Sequence, residues 1–170
     1  MTDLDINQLL DTLEAELRRE IAARGLADPA MVGILTGGVW IAQKLHERLG
    51  LKDPLGLLNI SFYRDDFSQI GMHPQVTPSS LPFDVDGRDI LLIDDVLYTG
   101  RTIRAALNEV FDYGRPASVM LGVLIERDGR QIPIRPDCCG ARLTLPPGQR
   151  IKLTGPEPLG LELREAASGA

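Results

Sequence analysis

The stretch that most constrains the fold is Ile90 to Thr102, ILLIDDVLYTGRT. Its first four residues, Ile90 to Ile93, form a short unbroken apolar run, the pattern of a strand buried on both faces of a parallel sheet. Asp94 and Asp95 stand at the C-terminal end of that run. A turn with Thr99, Gly100 and Thr102 follows, and a helical pattern begins near Ile103. A strand ending in acid, a hydroxyl-and-glycine turn and a helix start suit a ligand with hydroxyls at one end and a phosphate at the other. The helix N-terminus offers free N–H groups and about half a positive charge, which favours phosphate. Gly100 permits close backbone approach, and threonine hydroxyls donate hydrogen bonds.

Two other pockets share the strand-then-two-acids pattern: Walker B strands and the acidic pockets of signalling receiver domains. A Walker B strand works with a GxxxxGK[ST] loop, and the chain contains none. A receiver pocket has no need of a Thr-Gly-x-Thr turn directly after its acids. The phosphosugar site is the favoured reading.

The thirteen residues from Ile90 to Thr102 resemble the PRPP-binding signature of type I phosphoribosyltransferases, where PRPP is 5-phosphoribosyl-1-pyrophosphate. Upstream SFYRDD and downstream DYGRPASVMLGVLIERDGRQIPIRPDCCG narrow the resemblance to the PyrR family of uracil phosphoribosyltransferases, many of which also regulate pyrimidine genes by binding messenger RNA. The match runs from about Val32 to Gly140, with three separated motifs in the family's order. It implies the type I phosphoribosyltransferase fold: a central parallel sheet flanked by helices, a flexible lid loop and a small C-terminal hood. Residues 1–170 are expected to form one domain, with a core over about 26–130, a lid over about 64–88 and a hood over about 131–164.

Length agrees with one domain and a substantial core. No apolar run approaches the ~18–20 residues that span a bilayer. The start, MTDLDINQLL, carries acids where a signal peptide carries bases, so a cytoplasmic location is expected. Cys138 and Cys139 give neither a disulfide framework nor a CxxC spacing and are expected to be small buried residues. The formal net charge of −6 weighs against a dedicated nucleic-acid binder. It does not forbid PRPP, whose charge Mg2+ and backbone donors can meet.

Along the chain, residues from about Asp5 to Arg24 read as an amphipathic helix stopped by Gly25, with Asp5 and Gln8 resembling a capping pair. A strand over Met31 to Leu35 leads through Thr36-Gly37-Gly38 into a helix from about Val39 to Leu49 that ends at Gly50. Two glycines between strand and helix leave several N–H groups facing one point, a second anion cradle, although a plain tight turn has the same composition. Trp40 is expected in the core, and His46 and His73 have no ligand partners at metal spacing. Leu57 to Tyr63 reads as a strand, and Phe67 to Gly87, rich in Pro and Ser, as a functional loop. Ile103 to Asp112 reads as a helix ending near Gly114, followed by a strand over Ser118 to Ile125. The final third offers short strands near Gln131–Ile134, Arg142–Leu145 and Ile151–Leu153, and a frayed tail from Glu165. Strand-helix-strand spacing on both sides of the centre argues for a parallel sheet whose ligand sits at the C-terminal strand ends.

The resemblance implies roles. The ribose and 5-phosphate of PRPP would contact Asp94, Asp95, Tyr98, Thr99, Gly100, Arg101 and Thr102. The pyrophosphate would lie on Thr36, Gly37 and Gly38, a loop that carries no basic residue here, with Arg64 as a contact from elsewhere and a member of the catalytic set with both acids. Mg2+ would be held mainly through PRPP and water, with Asp65 and Asp66 nearby. Ile134, Arg135 and Asp137 would neighbour the uracil. The expected activity converts uracil and PRPP to UMP and pyrophosphate, in pyrimidine salvage, with UMP or UTP as nucleotide ligand. The alternative is a regulator binding the leader of pyrimidine-gene mRNA through Arg18, Arg19 and Arg142, with or without transferase activity. That first helix also carries Asp11, Glu14, Glu16 and Glu20, a mixed-charge face, whereas RNA-binding family members tend to be more basic there. A homodimer or higher homo-oligomer is expected.

Overall fold

The structure is a computed structural model and describes residues 4–60 and 78–165. In chain order the elements are α1 (Ile6–Ala23), β1 (Ala30–Ile34), α2 (Gly37–Leu49), β2 (Gly56–Leu58), β3 (Asp89–Leu97), α3 (Arg101–Tyr113), β4 (Ser118–Arg127), β5 (Cys138–Leu143), β6 (Gln149–Thr154) and β7 (Gly160–Glu165). Strands β2-β1-β3-β4-β5 form one five-stranded parallel sheet, and β6 with β7 forms a separate antiparallel pair.

Ile90 to Ile93 occupy the centre of the sheet and are fully buried. Successive side chains of a strand point to opposite faces. Leu91 and Ile93 therefore meet Leu10, Leu13 and Leu17 of α1 and Ile41 and Leu45 of α2 on one side. Ile90 and Leu92 meet Ile103, Ala106 and Val110 of α3 on the other. Trp40 packs against the first of these cores, under Gly155 of the β6–β7 hairpin.

The helix ends follow their local chemistry. The Asp5 carboxylate caps α1 by accepting from the Asn7 N–H at 2.9 Å. At the other end Gly25 adopts φ +65°, while Gly25 and Leu26 donate to the Ala22 and Ile21 carbonyls. Gly50 closes α2 in the same left-handed conformation.

Five expectations need correction. The acids do not end the central strand: β3 runs through Asp94 and Asp95 to Leu97, because its ladder with β4 continues to Leu97 opposite Glu126. Gly37 and Gly38 are not a turn ahead of α2 but its first residues. Gln131–Ile134 is no strand. Within the span expected to be hood, Cys138–Leu143 instead joins the main sheet beside β4. The cause is α1, which packs along β5: Glu16 accepts from the Cys139 N–H at 2.7 Å, and Gly140 lets the helix backbone approach. The strand expected over Leu57 to Tyr63 also falls short: β2 ends at Leu58, Asn59 and Ile60 are not strand, and the last three residues lie outside the described residues, as do most of the lid over about 64–88 and the tail after Glu165.

Candidate active site at the sheet switch point

Strand order places the site. From β1 the chain crosses to β2 on one side, whereas from β3 it crosses to β4 and β5 on the other. Right-handed crossovers in opposite directions put α2 and α3 on opposite faces, and the crevice outside β1 and β3 is where a parallel sheet binds ligands. Both helices start at that edge: α2 at Gly37 after Thr36, α3 at Arg101 after Gly100. Neither carries an acid in its first turn, so two positive helix ends face one crevice.

Asp94 and Asp95 stand between them. Asp94 is 5% exposed, and its Oδ1 accepts from the Asp95 N–H at 2.8 Å. The Asp95 Oδ1 accepts from the Val96 N–H at 2.8 Å. The two glycines are fitted to these acids. A Cβ at Gly37 would stand 2.8 Å from Asp95 Cγ, and one at Gly38 would stand 2.8 Å from the Ile93 carbonyl oxygen and 3.1 Å from Asp94 Oδ1. Only glycine allows the α2 N-terminus this close to the carboxylates. The Leu35–Thr36 peptide bond entering this loop is cis.

On the other wall, Gly100 caps α3 at φ +96°, and the Thr99 Oγ1 accepts from the Arg101 N–H at 3.2 Å. A Cβ on Gly100 would meet Ile132 Cγ1 at 2.8 Å. The Gln131 N–H donates to the Thr99 carbonyl at 3.0 Å, and Arg101 Nε donates to Gln131 Oε1 at 3.0 Å. The Tyr98 ring carries the Arg127 guanidinium 3.9 Å from its centroid. Gln131, Arg127 and Gly129 were absent from the expected site. Their only signal is tertiary: β3 and β4 are neighbours, so the loops that leave them run together.

The expected residues thus divide. Asp95 and Asp94 touch Gly37 and Gly38, and residues 98–102 follow from the same strand into the start of α3. Ile134 lies beside Gly100, packed on the α3 core. Asp137 lies elsewhere: one oxygen accepts from the Leu121 N–H at 2.8 Å, and the other from Arg24 at 2.8 Å, at the entrance to β5. That ion pair raises the Arg24 pKa. Arg135 lines a different feature, a cleft of about 250 Å³ with Arg127, Arg130, Arg142, Glu126 and Asp128. Arg142 there pairs with Glu126 at 2.8 Å. Arg18 turns instead to Glu14 and the Arg48 carbonyl on α2, and Arg19 to Glu16, so Arg18 and Arg142 are not brought together within one chain. His46 meets the Asp53 carbonyl oxygen at 2.6 Å. Arg64, Asp65, Asp66 and His73 lie outside the described residues.

Among the described residues no three His, Cys, Asp or Glu side chains converge to hold a metal ion. Asp94 and Asp95 at this crevice would suit a hydrated Mg2+ reached through its waters, since this ion keeps several waters and takes few carboxylates. Among the described residues no helix is long and apolar enough to cross a membrane.

Comparison with known proteins shows the family and the fold. The family model described as a phosphoribosyl transferase domain matches residues 4–141. A protein named bifunctional protein PyrR from Pseudomonas fluorescens is 56% identical over 94% of this chain and 95% of its own length. A second of that name from Pseudomonas syringae is 55% identical over 95% of each. Among solved structures, a hypoxanthine-guanine phosphoribosyltransferase from Bacillus anthracis superposes with TM-score 0.67 at 13% identity, covering 88% of this chain and 84% of its own. A purine phosphoribosyltransferase from Pyrococcus horikoshii gives TM-score 0.61 at 22% identity, covering 86% and 90%. These structures share the fold.

Proposed function

The chain belongs to the phosphoribosyltransferase family and, within it, to the PyrR proteins; on that premise we propose that it transfers the phosphoribosyl group of PRPP to uracil, giving UMP and pyrophosphate. The observation that carries this is the crevice itself: two helix N-termini and two glycines closing on Asp94 and Asp95.

Asp94 and Asp95 accept hydrogen bonds from the ribose 2′- and 3′-hydroxyls. As the bond from C1′ to pyrophosphate breaks and the bond to uracil N1 forms, positive charge develops on the sugar, and the adjacent carboxylates stabilise it. The N1 proton of uracil leaves to solvent or to the departing pyrophosphate, so no dedicated base is required. Thr99, Gly100, Arg101 and Thr102, beside Tyr98, hold the 5-phosphate. Thr36, Gly37 and Gly38 hold the pyrophosphate by backbone N–H groups, with Arg64 supplying the cation their loop lacks. Mg2+ bound through PRPP and water, near Asp65 and Asp66, would offset the charge of the leaving group. Holding donor and acceptor in line contributes up to about 7–11 kcal/mol in favourable cases. Ile134, beside Gly100, is the proposed base neighbour, whereas Arg135, also expected there, faces the arginine cleft. Asp137 serves them by fixing the segment that enters β5, since both its oxygens are engaged.

A second reading, RNA binding that regulates pyrimidine genes, is favoured by one observation: four arginines, Arg127, Arg130, Arg135 and Arg142, share one cleft with only Glu126 and Asp128 opposing them. Phosphate-backbone binding needs such a local excess of positive charge. The relatives' name, bifunctional, is compatible with both activities in one cytoplasmic protein.

The test is initial-rate product formation from PRPP and uracil with Mg2+, with hypoxanthine, guanine and orotate in parallel. UMP formation with uracil alone supports the proposal. Turnover of another base in its place overturns the substrate, and no turnover with any base overturns the enzyme reading.

A further inference from the structure

The loops leaving β3 and β4 make a set of paired contacts. Because Leu97 is in register with Glu126, residues 98–101 and 127–132 leave the sheet side by side. Arg127 stacks on Tyr98, and its Nη2 donates to the Gln149 carbonyl at 3.1 Å, tying it to β6. Gly129, at φ +133°, forms the other side of the slot: a Cβ there would stand 2.9 Å from Tyr98 Cδ2. Gln131 holds the next residues, its N–H on the Thr99 carbonyl and its Oε1 on Arg101 Nε. Ile132 closes over Gly100.

We propose that Arg127 to Ile132 is a latch that sets the shape of the 98–102 turn, with Gln131 the positioning residue that aims Arg101 at the 5-phosphate. The proposal rests on the reading of that turn as a phosphate site. An arginine carries five N–H donors in a fixed fork. Occupying Nε with Gln131 fixes the plane of the guanidinium and leaves its other N–H groups for the ligand. The Gln131 side chain is exposed and needed by no core, so its replacement leaves the fold intact. Glutamate at this position keeps an acceptor for Arg101 Nε, whereas leucine keeps the size and removes the acceptor.

The experiment measures ribose 5-phosphate binding by titration calorimetry for the wild-type chain, Gln131→Leu and Gln131→Glu, with PRPP kinetics on the same proteins. Ribose 5-phosphate reads the hydroxyl and phosphate contacts without a base or a pyrophosphate. Gln131→Leu is expected to weaken its binding by about tenfold, what one lost hydrogen bond to a charged group is worth. Gln131→Glu should stay within about threefold of wild type, since its carboxylate still accepts from Arg101. For PRPP, the leucine variant should raise KM with kcat little changed. Leucine and glutamate variants that weaken equally, or a leucine variant that binds like wild type, would overturn the latch, as would a wild-type chain that ignores ribose 5-phosphate. A wild-type chain that binds it but transfers to no base overturns the transferase reading alone, and the two variants still decide the latch.

Discussion

The backbone of Gly37 lies against the carboxylate of Asp95, so closely that a Cβ built on the glycine would stand 2.8 Å from Asp95 Cγ. Gly37 opens α2 just after β1 and Asp95 lies near the end of the neighbouring strand β3, and their contact joins the proposed pyrophosphate cradle to the proposed ribose site. Gly37→Ala must therefore push the loop or the acid aside. Turnover is expected to fall by at least about tenfold, while overpacking costs about 1–3 kcal/mol of stability. Steady-state kinetics and urea unfolding on the same variant check both.

Asp95→Asn keeps the size of the side chain and removes its charge. Its kcat is expected to fall on the order of 100-fold or more, as for other single groups that stabilise a charged transition state. Thermal unfolding should barely move. Unchanged turnover would contradict the role given to this acid.

Gly100→Ala tests the opposite wall. At φ +96° an L-residue is strained by about 1–2 kcal/mol, and its Cβ would meet Ile132. The variant should lose at least that much stability and bind PRPP more weakly, measurable by denaturant titration and by KM.

Much of this fold is legible in the sequence because its signals are local. An unbroken apolar run marks β3, apolar residues at helical spacing mark α1, and Gly25 and Gly50 mark helix ends through their left-handed backbone. The meeting of Thr36-Gly37-Gly38 with Asp94-Asp95 follows from parallel-sheet topology, which strand-helix-strand spacing already implies. What depends on pairing between distant segments is not legible. β5 is a half-exposed edge strand, CCGARL, whose place is set by α1 and by Asp137, not by an apolar pattern of its own. The continuation of β3 past its acids depends on β4, and so does the grip of Gln131 on Arg101.

Asp137 holds an N–H of β4 as well as Arg24, and the two bonds differ in worth. Asp137→Ala leaves the buried Leu121 N–H without its acceptor and should cost about 2 kcal/mol. Arg24→Ala removes two partly exposed ion pairs, to Asp137 and to Glu20, each worth about 0.5 kcal/mol or less. Comparing both variants by urea unfolding checks the order.

Burial, reinforced by Glu16, Glu20 and Asp137, pushes the Cys138 thiol up to about 12 from 9.0. Above pH 9 the unfolded thiol ionises while the folded one does not, so this contribution to stability is full below pH 9 and falls as pH rises towards 12. Native Cys138 should resist alkylation at pH 8, where the denatured chain reacts readily. Mass spectrometry after a timed iodoacetamide pulse reads the difference.

The most direct test of the central claim is a crystal structure of the chain with PRPP and Mg2+. The 5-phosphate is expected at the N-terminus of α3 beside Thr99 to Thr102, the ribose hydroxyls on Asp94 and Asp95, and the pyrophosphate over Thr36 to Gly38. PRPP seated instead in the arginine cleft of Arg127, Arg130, Arg135 and Arg142, with the crevice between α2 and α3 empty, would contradict it.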